Sequence, residues 1–189
     1  MTTPEPRRPL KLLNAVIIAV MAVPAILVQP ASASTNVTER MSISSEGMEG
    51  DQASETPSMS GDGRLVVFAS DATNLVPGDD NAAKDIFLHD WATGQTERLS
   101  LSAAGEEGNA SSVRPEISGD GRWVVFSSLA SNLVPEDTNG VEDIFLVDLL
   151  HGGIERMSVS VAGDQANGAS TQPVLSGDGR YVELLGGLS

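Results

Sequence analysis

Cysteine is missing from this 189-residue chain, which excludes disulfide bonds, thiol catalysis and cysteine metal ligands. Positive charge is scarce as well: 11 lysines and arginines stand against 26 aspartates and glutamates, and the formal net charge is −15. An acidic surface repels nucleic-acid phosphates and anionic lipids, so we expect no nucleic-acid partner. The same surface suits divalent cations and basic partners.

The motifs of common catalytic sites are also absent. The sequence has no nucleophile-elbow G-x-S-x-G, no H-E-x-x-H and no phosphate-binding G-x-x-x-x-G-K-S loop. Histidine occurs twice, as His89 and His151, and we interpret each as a structural side chain and not as a general base. The sequence therefore predicts a chain that is not itself an enzyme.

A segment typical of protein export comes first in the chain. It has basic residues between positions 7 and 11, a mostly apolar run at 12–28, and a small-residue pattern that ends at Ala33. This order is typical of a secretory signal peptide. We therefore expect residues 1–33 to be removed and the chain to be exported to the periplasm, the cell surface or the medium.

A retained membrane anchor is the alternative interpretation of this segment. The apolar run is interrupted by Asn14 and Pro24 and is short for a membrane span of about 20 residues. We therefore expect no stable membrane span after signal removal.

The remainder of the chain is dominated by an internal repeat of 58 residues. Arg40, Arg98 and Arg156 are spaced by this interval, and the sequence after each is similar without gaps. A fixed period of this length is the signature of a repeat architecture. The expected organisation of residues 34–189 is two complete copies, 40–97 and 98–155, and one incomplete copy, 156–189.

Each complete copy contains four short segments of β-favouring residues. In the second copy they lie around Ile117, at 123–126, at 144–147 and at 154–161, which are strand lengths and not helix lengths. An Asp120-Gly121 pair between the first two predicts a tight hairpin turn. Four antiparallel strands per copy predict an all-β fold of β-propeller blades, because a lone sheet must stack on a neighbour to cover both its faces.

An arginine follows this hairpin turn in every copy. We predict that these arginines form a salt bridge with a repeated acid, such as Asp62 or Asp120. The arginines are Arg64, Arg122 and Arg180.

The repeat resembles a known family of bacterial propellers. The runs PEISGDGRWVVFSS at 115–128 and DIFLVD at 143–148, with their counterparts in the other copies, resemble the TolB-type, WD-repeat-like β-propeller repeat of exported proteins. The resemblance covers essentially all of residues 40–182. It implies a propeller fold but not one function, since the family includes periplasmic scaffolds that bind proteins and propeller domains attached to peptidases.

Two features depart from this family pattern. Propellers close into rings of about four to eight blades, whereas two complete blades and parts of others are expected here. The third copy also loses the pattern from Glu183 onward, within a predicted strand. We therefore expect an incomplete ring that is either a truncated or frame-shifted piece of a longer propeller or is completed by self-association.

An oxygen-rich loop recurs between the second and third predicted strands of a copy. Such closely spaced carboxylate and amide oxygens can supply about half of the ligands that Ca²⁺ requires, so we predict a calcium site. The alternative is turn chemistry, which Asn139-Gly140 favours, and Lys84 would place a cation beside the site in the first copy. The predicted metal ligands are Asp137, Asn139 and Asp143 in the second copy and Asp79, Asn81 and Asp85 in the first.

Two classes of function follow from these observations. The first is a non-catalytic exported propeller segment that binds a protein partner or a small ligand and is stabilised by calcium. The second is the propeller part of a larger hydrolase or peptidase whose catalytic domain lies outside this chain. No cofactor other than calcium is expected.

Overall fold

The computed structural model describes residues 38–186. Within them there are ten β-strands and no helix, so no helix there is long and apolar enough to cross a membrane. The predicted signal peptide at 1–33 lies outside the described residues. The strands are β1 (Ser54–Met59), β2 (Leu65–Ser70), β3 (Asp85–Asp90), β4 (Gln95–Arg98), β5 (Ser112–Ile117), β6 (Trp123–Ser128), β7 (Asp143–Asp148), β8 (Ile154–Arg156), β9 (Ser170–Leu175) and β10 (Val182–Gly186).

These strands form three antiparallel sheets, each with its strands in chain order. Blade 1 is β1-β2-β3-β4, blade 2 is β5-β6-β7-β8, and the third sheet is the pair β9-β10. The prediction of four-stranded antiparallel blades is confirmed for two copies. The incomplete third copy forms the first two strands of another blade.

The hairpin turn between the first two strands of each blade is held by its own polar side chains. In blade 1 the Ser60 hydroxyl donates to Asp62 over 2.6 Å, and Asp62 accepts the Arg64 backbone N–H at 3.0 Å. Gly63 takes a φ of +77°, which a side chain would disfavour. The serine, aspartate and glycine recur in all copies, so their spacing correctly predicted this turn.

In blades 1 and 2 the arginine after the turn does pair with a repeated acid, but this acid is not Asp62 or Asp120, which the prediction named. Arg64 instead makes two hydrogen bonds to Asp90, at 2.9 Å from Nε and 2.6 Å from Nη2. Arg122 does the same with Asp148. The reason is that Asp62 already accepts two local hydrogen bonds, while Asp90 ends the neighbouring strand β3 directly opposite Leu65.

The fourth strand of blade 2 is shorter than the run at 154–161 predicted. It ends at Arg156, and the chain then turns into a small hairpin closed by a bridge between Val159 and Gln165. The equivalent bridge after blade 1 joins Leu101 and Glu107. These hairpins connect successive sheets, so part of the apolar signal at 154–161 belongs to a connection and not to a strand.

Successive sheets pack face to face through a shared hydrophobic core. The cluster between blades 1 and 2 includes Val67 and Ile86 from the first and Val124 and Phe126 from the second, all of which are buried. Strand β1 also contacts β5, and β5 contacts β9. The first strand of each sheet therefore lies against the first and second strands of the sheet before it, as stacked propeller blades do.

Candidate functional site

The predicted metal ligands of blade 1 lie together in the loop between β2 and β3. Asn81 donates from Nδ2 to Asp85 over 2.8 Å and accepts the Ala83 N–H at 2.8 Å, which closes an Asx-type turn. Asp85 begins β3 and is fully buried, and it also accepts the Ser100 hydroxyl at 2.5 Å. The loop therefore brings the predicted oxygens together but already uses several of them in hydrogen bonds.

A guanidinium lies among these oxygens. Nη1 of Arg98 is 3.1 Å from Asp79 and 3.2 Å from Asp85, and it also contacts Glu107. The Arg98 side chain is only 6% exposed, so this is a buried ion cluster and not a surface salt bridge. Arg98 thus supplies positive charge at the position where sequence analysis placed a calcium ion.

Blade 2 repeats this arrangement with one change. Nη1 of Arg156 is 3.0 Å from Asp137 and 3.8 Å from Asp143, and Asn139 donates to Asp143 over 2.7 Å. The place of Glu107 is taken by Gln165, which accepts a hydrogen bond from Arg156 at 3.2 Å. The second cluster therefore has one carboxylate fewer than the first.

Burial and mutual repulsion raise the pKa of one aspartate in each of these clusters. The pKa of Asp79 is raised to about 6, chiefly because burial disfavours the charged carboxylate, and Asp85 and Glu107 add to the effect while Arg98 opposes it. The pKa of Asp137 is raised for the same main reason, with repulsion from Asp143. Each loop therefore sets more than one acid against a single arginine, and burial favours the protonated forms of Asp79 and Asp137.

The blade 1 cluster has the donor set of a hard-cation site. Oxygens of Asp79, Asp85 and Glu107 all lie within 4.8 Å of one another, and carboxylate oxygen is the ligand that Ca²⁺ prefers. The nearby lysine does not occupy it, because Lys84 pairs with Glu55 at 2.5 Å and with Asp71 at 3.4 Å. A bound cation would have to share these oxygens with Arg98.

Sequence reasoning did not identify the arginines or Glu107 as parts of these clusters. The signal was present, since Arg98 and Arg156 are the residues that define the 58-residue period, and Glu49, Glu107 and Gln165 follow the same period. Arg40 pairs with Glu49 at 3.0 Å, which repeats the Arg98–Glu107 contact. The spacing of nine residues between the arginine and the acid does not indicate that both will contact the loop between β2 and β3.

A second repeated feature lies on the first strand of each sheet. The pairing of β1 with β2 shifts register between Glu55 and Ser58, and the same shift occurs in the other two sheets. Each strand thus carries a β-bulge that ends at a proline. The residue before that proline has a positive φ although it is not glycine: Thr56 at 50°, Arg114 at 53° and Gln172 at 52°.

These three bulges line one cavity of about 400 Å³ together with Pro57, Pro115 and Pro173. Thr56, Arg114 and Gln172 are all exposed there. Arg114 pairs with Glu142 at 2.8 Å, and Glu116 accepts the Leu175 N–H at 2.8 Å. The cavity therefore has a wall of repeated backbone geometry that carries a different polar side chain from each sheet.

Both histidines lie away from these features. His89 is buried on β3, where Nδ1 is 2.8 Å from the Thr96 hydroxyl, and burial lowers its pKa. His151 lies in the turn after β7, with Nδ1 2.9 Å from Asp148 and 3.1 Å from Arg122. Each histidine thus contacts groups that stabilise its own blade.

No family model and no curated protein matches the chain, but several solved structures do. The β-propeller domain of the Trilobed protease from Pyrococcus furiosus is 18% identical with a TM-score of 0.50, over 74% of this chain and 36% of that one. TolB from Acinetobacter baumannii is 20% identical with a TM-score of 0.46, over 75% and 28%. The acylaminoacyl peptidase from Pyrococcus horikoshii is 16% identical with a TM-score of 0.43, over 69% and 16%.

At these identities the likeness concerns the fold. The expected β-propeller architecture is confirmed by the match to the protease propeller domain. The chain spans about a third of the length of the first structures that it matches.

Proposed function

We propose that this chain is a non-catalytic, exported β-propeller segment that binds an extended segment of a protein partner on the side of its first strands. The observation that carries the proposal is the bulge repeated at Thr56, Arg114 and Gln172, whose side chains line one cavity. Export is supported by the sequence pattern at 1–33 and is tested by reading the mature N-terminus by mass spectrometry. A mature chain that still begins at Met1 would count against export.

The bulges support binding because their strained residues cost conformational energy and hold their side chains exposed, while the prolines that follow are buried at Pro115 and Pro173. A non-glycine residue in the left-handed region costs roughly 1–2 kcal/mol. The three side chains are exposed and of different types, so their packing does not explain a backbone geometry that recurs in every sheet. Strained backbone beside a cavity is typical of sites where side chains are presented to a ligand.

Charge indicates the kind of segment that the cavity would accept. The chain has a net charge of −15, and Arg114 and Glu116 are the two charged residues that line the cavity, with Arg114 paired to Glu142. An acidic field of this kind raises the association rate of basic partners. We therefore expect an extended peptide with lysine or arginine residues.

The test is a random peptide library displayed on phage and selected against the purified chain. Selected peptides are then measured for affinity to the wild type and to a variant carrying Glu116→Gln, which removes a negative charge from the cavity lining, and Gln172→Ala. We expect the double variant to bind at least about tenfold more weakly, which corresponds to about 1.4 kcal/mol. Val161→Ala, at a fully exposed residue in the hairpin after blade 2, is the matched control.

Equal affinity of the selected peptides for wild type and double variant would contradict the proposed site. A library that yields no binder would contradict peptide binding altogether. Enrichment of acidic peptides would contradict the electrostatic part of the proposal.

The alternative function is the propeller part of a larger hydrolase. It is favoured by the match to a β-propeller domain that belongs to a protease. Reading the coding sequence beyond the codon for Ser189 distinguishes the two. A following catalytic domain would support the hydrolase, and further 58-residue copies alone would support the binding protein.

A further inference from the structure

The third sheet has one face packed against blade 2 and one face exposed. Leu175, Val182 and Leu184 pack into the cluster around Val125 and Ile144 of blade 2. Side chains alternate along a strand, so the intervening residues point the other way. We name the exposed side the outward face; it consists of Val174, Tyr181, Glu183 and Leu185, of which the three apolar residues are 49%, 65% and 55% exposed.

The corresponding face of a complete blade is buried by the next blade. Val67 and Val125 occupy the position of Glu183, and both are fully buried. Leu65 and Trp123 occupy the position of Tyr181, and both pack against the following sheet. The outward face therefore corresponds to a surface that is covered in both complete blades.

A backbone contact accompanies each of these sheet-to-sheet interfaces. The Gly61 N–H donates to the Gly119 carbonyl over 2.9 Å, and the Gly119 N–H donates to the Gly177 carbonyl over 2.8 Å. Gly177 is the third member of this series and has no atom within 4 Å of the position that a Cβ would take. The outward face thus also presents the backbone N–H of Gly177, which corresponds to the donor in the two interfaces inside the chain.

Blade 1 exposes the complementary half on its opposite side. Met59 is 60% exposed, whereas Ile117, its equivalent in blade 2, is only 7% exposed because blade 1 covers it. Beside Met59 lies a cavity of about 260 Å³ whose wall includes Met41, Glu55 and Pro57 and whose floor is formed by the buried Val66 and Phe68. We name this side the receiving face.

We infer that a second copy of this chain docks head to tail, with its receiving face on the outward face of the first. The two faces are the halves of an interface that the chain forms twice within itself, between blade 1 and blade 2 and between blade 2 and the third sheet. A head-to-tail contact leaves one unused half at each end, so it leads to rings or to open chains. The inference is independent of the proposed peptide binding.

Glu183 limits the strength of this contact. It replaces a fully buried valine, and docking would bring its carboxylate against a mostly apolar receiving face that also carries the carboxylate of Glu55. Burying a carboxylate without a partner is unfavourable. The association is therefore weak, and Glu183→Val strengthens it.

The test is sedimentation velocity of the purified full chain over a range of concentrations. We expect the wild type to show a concentration-dependent increase in mass, and Glu183→Val to lower the dissociation constant by at least about tenfold. Tyr181→Glu on the outward face and Met59→Glu on the receiving face should each abolish the increase. Leu150→Glu is the matched control, since Leu150 is 68% exposed but lies in the β7–β8 turn, away from both faces.

Mixing the two disrupted variants tests the head-to-tail geometry. The Tyr181→Glu chain keeps its receiving face and the Met59→Glu chain keeps its outward face, so together they can form one intact interface and should give a heterodimer. Circular dichroism verifies that each variant is folded.

Three results would overturn the inference. They are a wild type and a Glu183→Val variant that both stay monomeric at all concentrations, association that persists in the folded Tyr181→Glu variant, and a mixture that forms no heterodimer. None of them bears on the peptide measurements, which use substitutions in the cavity that the three bulges line.

Discussion

Arg98 contacts three carboxylates, two of which the sequence assigned to calcium. Its guanidinium shares oxygens with Asp79, Asp85 and Glu107, and the side chain is almost fully buried. Removing one member of such a cluster leaves a buried charge without its partner, which is more costly than losing a surface salt bridge. At the scale of single residues, the arginine that marks the period of the repeat is therefore also a structural cation.

The calcium prediction can be tested with the difference between the two clusters. We expect millimolar Ca²⁺ to raise the melting temperature, because three carboxylates in blade 1 exceed the charge of Arg98. Glu107→Gln copies the blade 2 residue Gln165 and should reduce the shift, and Gln165→Glu should increase it. Differential scanning fluorimetry with Mg²⁺ as the comparison ion gives the measurement, and a melt that Ca²⁺ leaves unchanged would dispose of the prediction.

Ser170 has a buried hydroxyl with no hydrogen-bond partner among the described residues. In the complete blades the equivalent Ser54 and Ser112 donate over 2.9 Å to serines on the neighbouring strand, Ser70 and Ser128. The third copy has Gly186 at that position. The loss of the repeat pattern after Glu183 thus has a direct physical consequence, a buried polar group without a partner.

At the scale of elements, the turn between the first two strands both reverses the chain and joins neighbouring sheets. Its two glycines have different roles. Gly63 is required by its positive φ, whereas Gly61 and Gly119 are required because a carbonyl of the next sheet lies 2.8 Å from the position of a Cβ. A turn motif that serves two purposes explains why the S-G-D-G sequence recurs unchanged in all three copies.

Substituting these glycines gives a matched pair of variants. Gly119→Ala places a methyl group against the Gly177 carbonyl, so we expect a loss of about 1–3 kcal/mol in the free energy of unfolding. Gly177→Ala meets nothing within 4 Å and should stay within about 0.5 kcal/mol of the wild type below the association concentration. Urea denaturation measures both, and equal losses would contradict this account of the turn.

At the scale of the whole molecule, stability depends on contacts between sheets. Phe126 and Phe145 stack with ring centroids 5.9 Å apart inside the cluster that blades 1 and 2 share. Neither blade can unfold without exposing apolar surface of the other. We therefore expect the described sheets to unfold together, although each has a complete sequence repeat.

The two tryptophans can test this cooperativity. Trp91 lies in the β3–β4 turn of blade 1, and Trp123 begins β6 of blade 2. In Trp91→Phe and in Trp123→Leu, which copies Leu65 of blade 1, one tryptophan remains as a probe. We expect its fluorescence midpoint in urea to coincide with that of circular dichroism in each variant. A Trp91 signal that is lost before the circular dichroism signal would contradict cooperative unfolding.

How much the sequence predicted differs between the fold and the site. The blades were predictable because strand length, turn residues and the 58-residue period are local properties that all indicate the same sheet. The acidic loops were predictable as groups of ligand types close in the chain. Arg98 and Glu107 were missed because their contacts depend on how the connecting hairpin folds back onto the loop before β3.

By itself, the sequence determined the antiparallel sheets and their turns, because short apolar runs of strand length and glycine or aspartate in the turns act over a few neighbouring residues. Tertiary structure alone decided three other features: which acid each arginine meets, where the bulges of β1, β5 and β9 converge, and which face of the third sheet stays exposed. These depend on how one sheet stacks on the next. A stacking contact joins residues about 58 positions apart, and no local pattern specifies which of their atoms will touch.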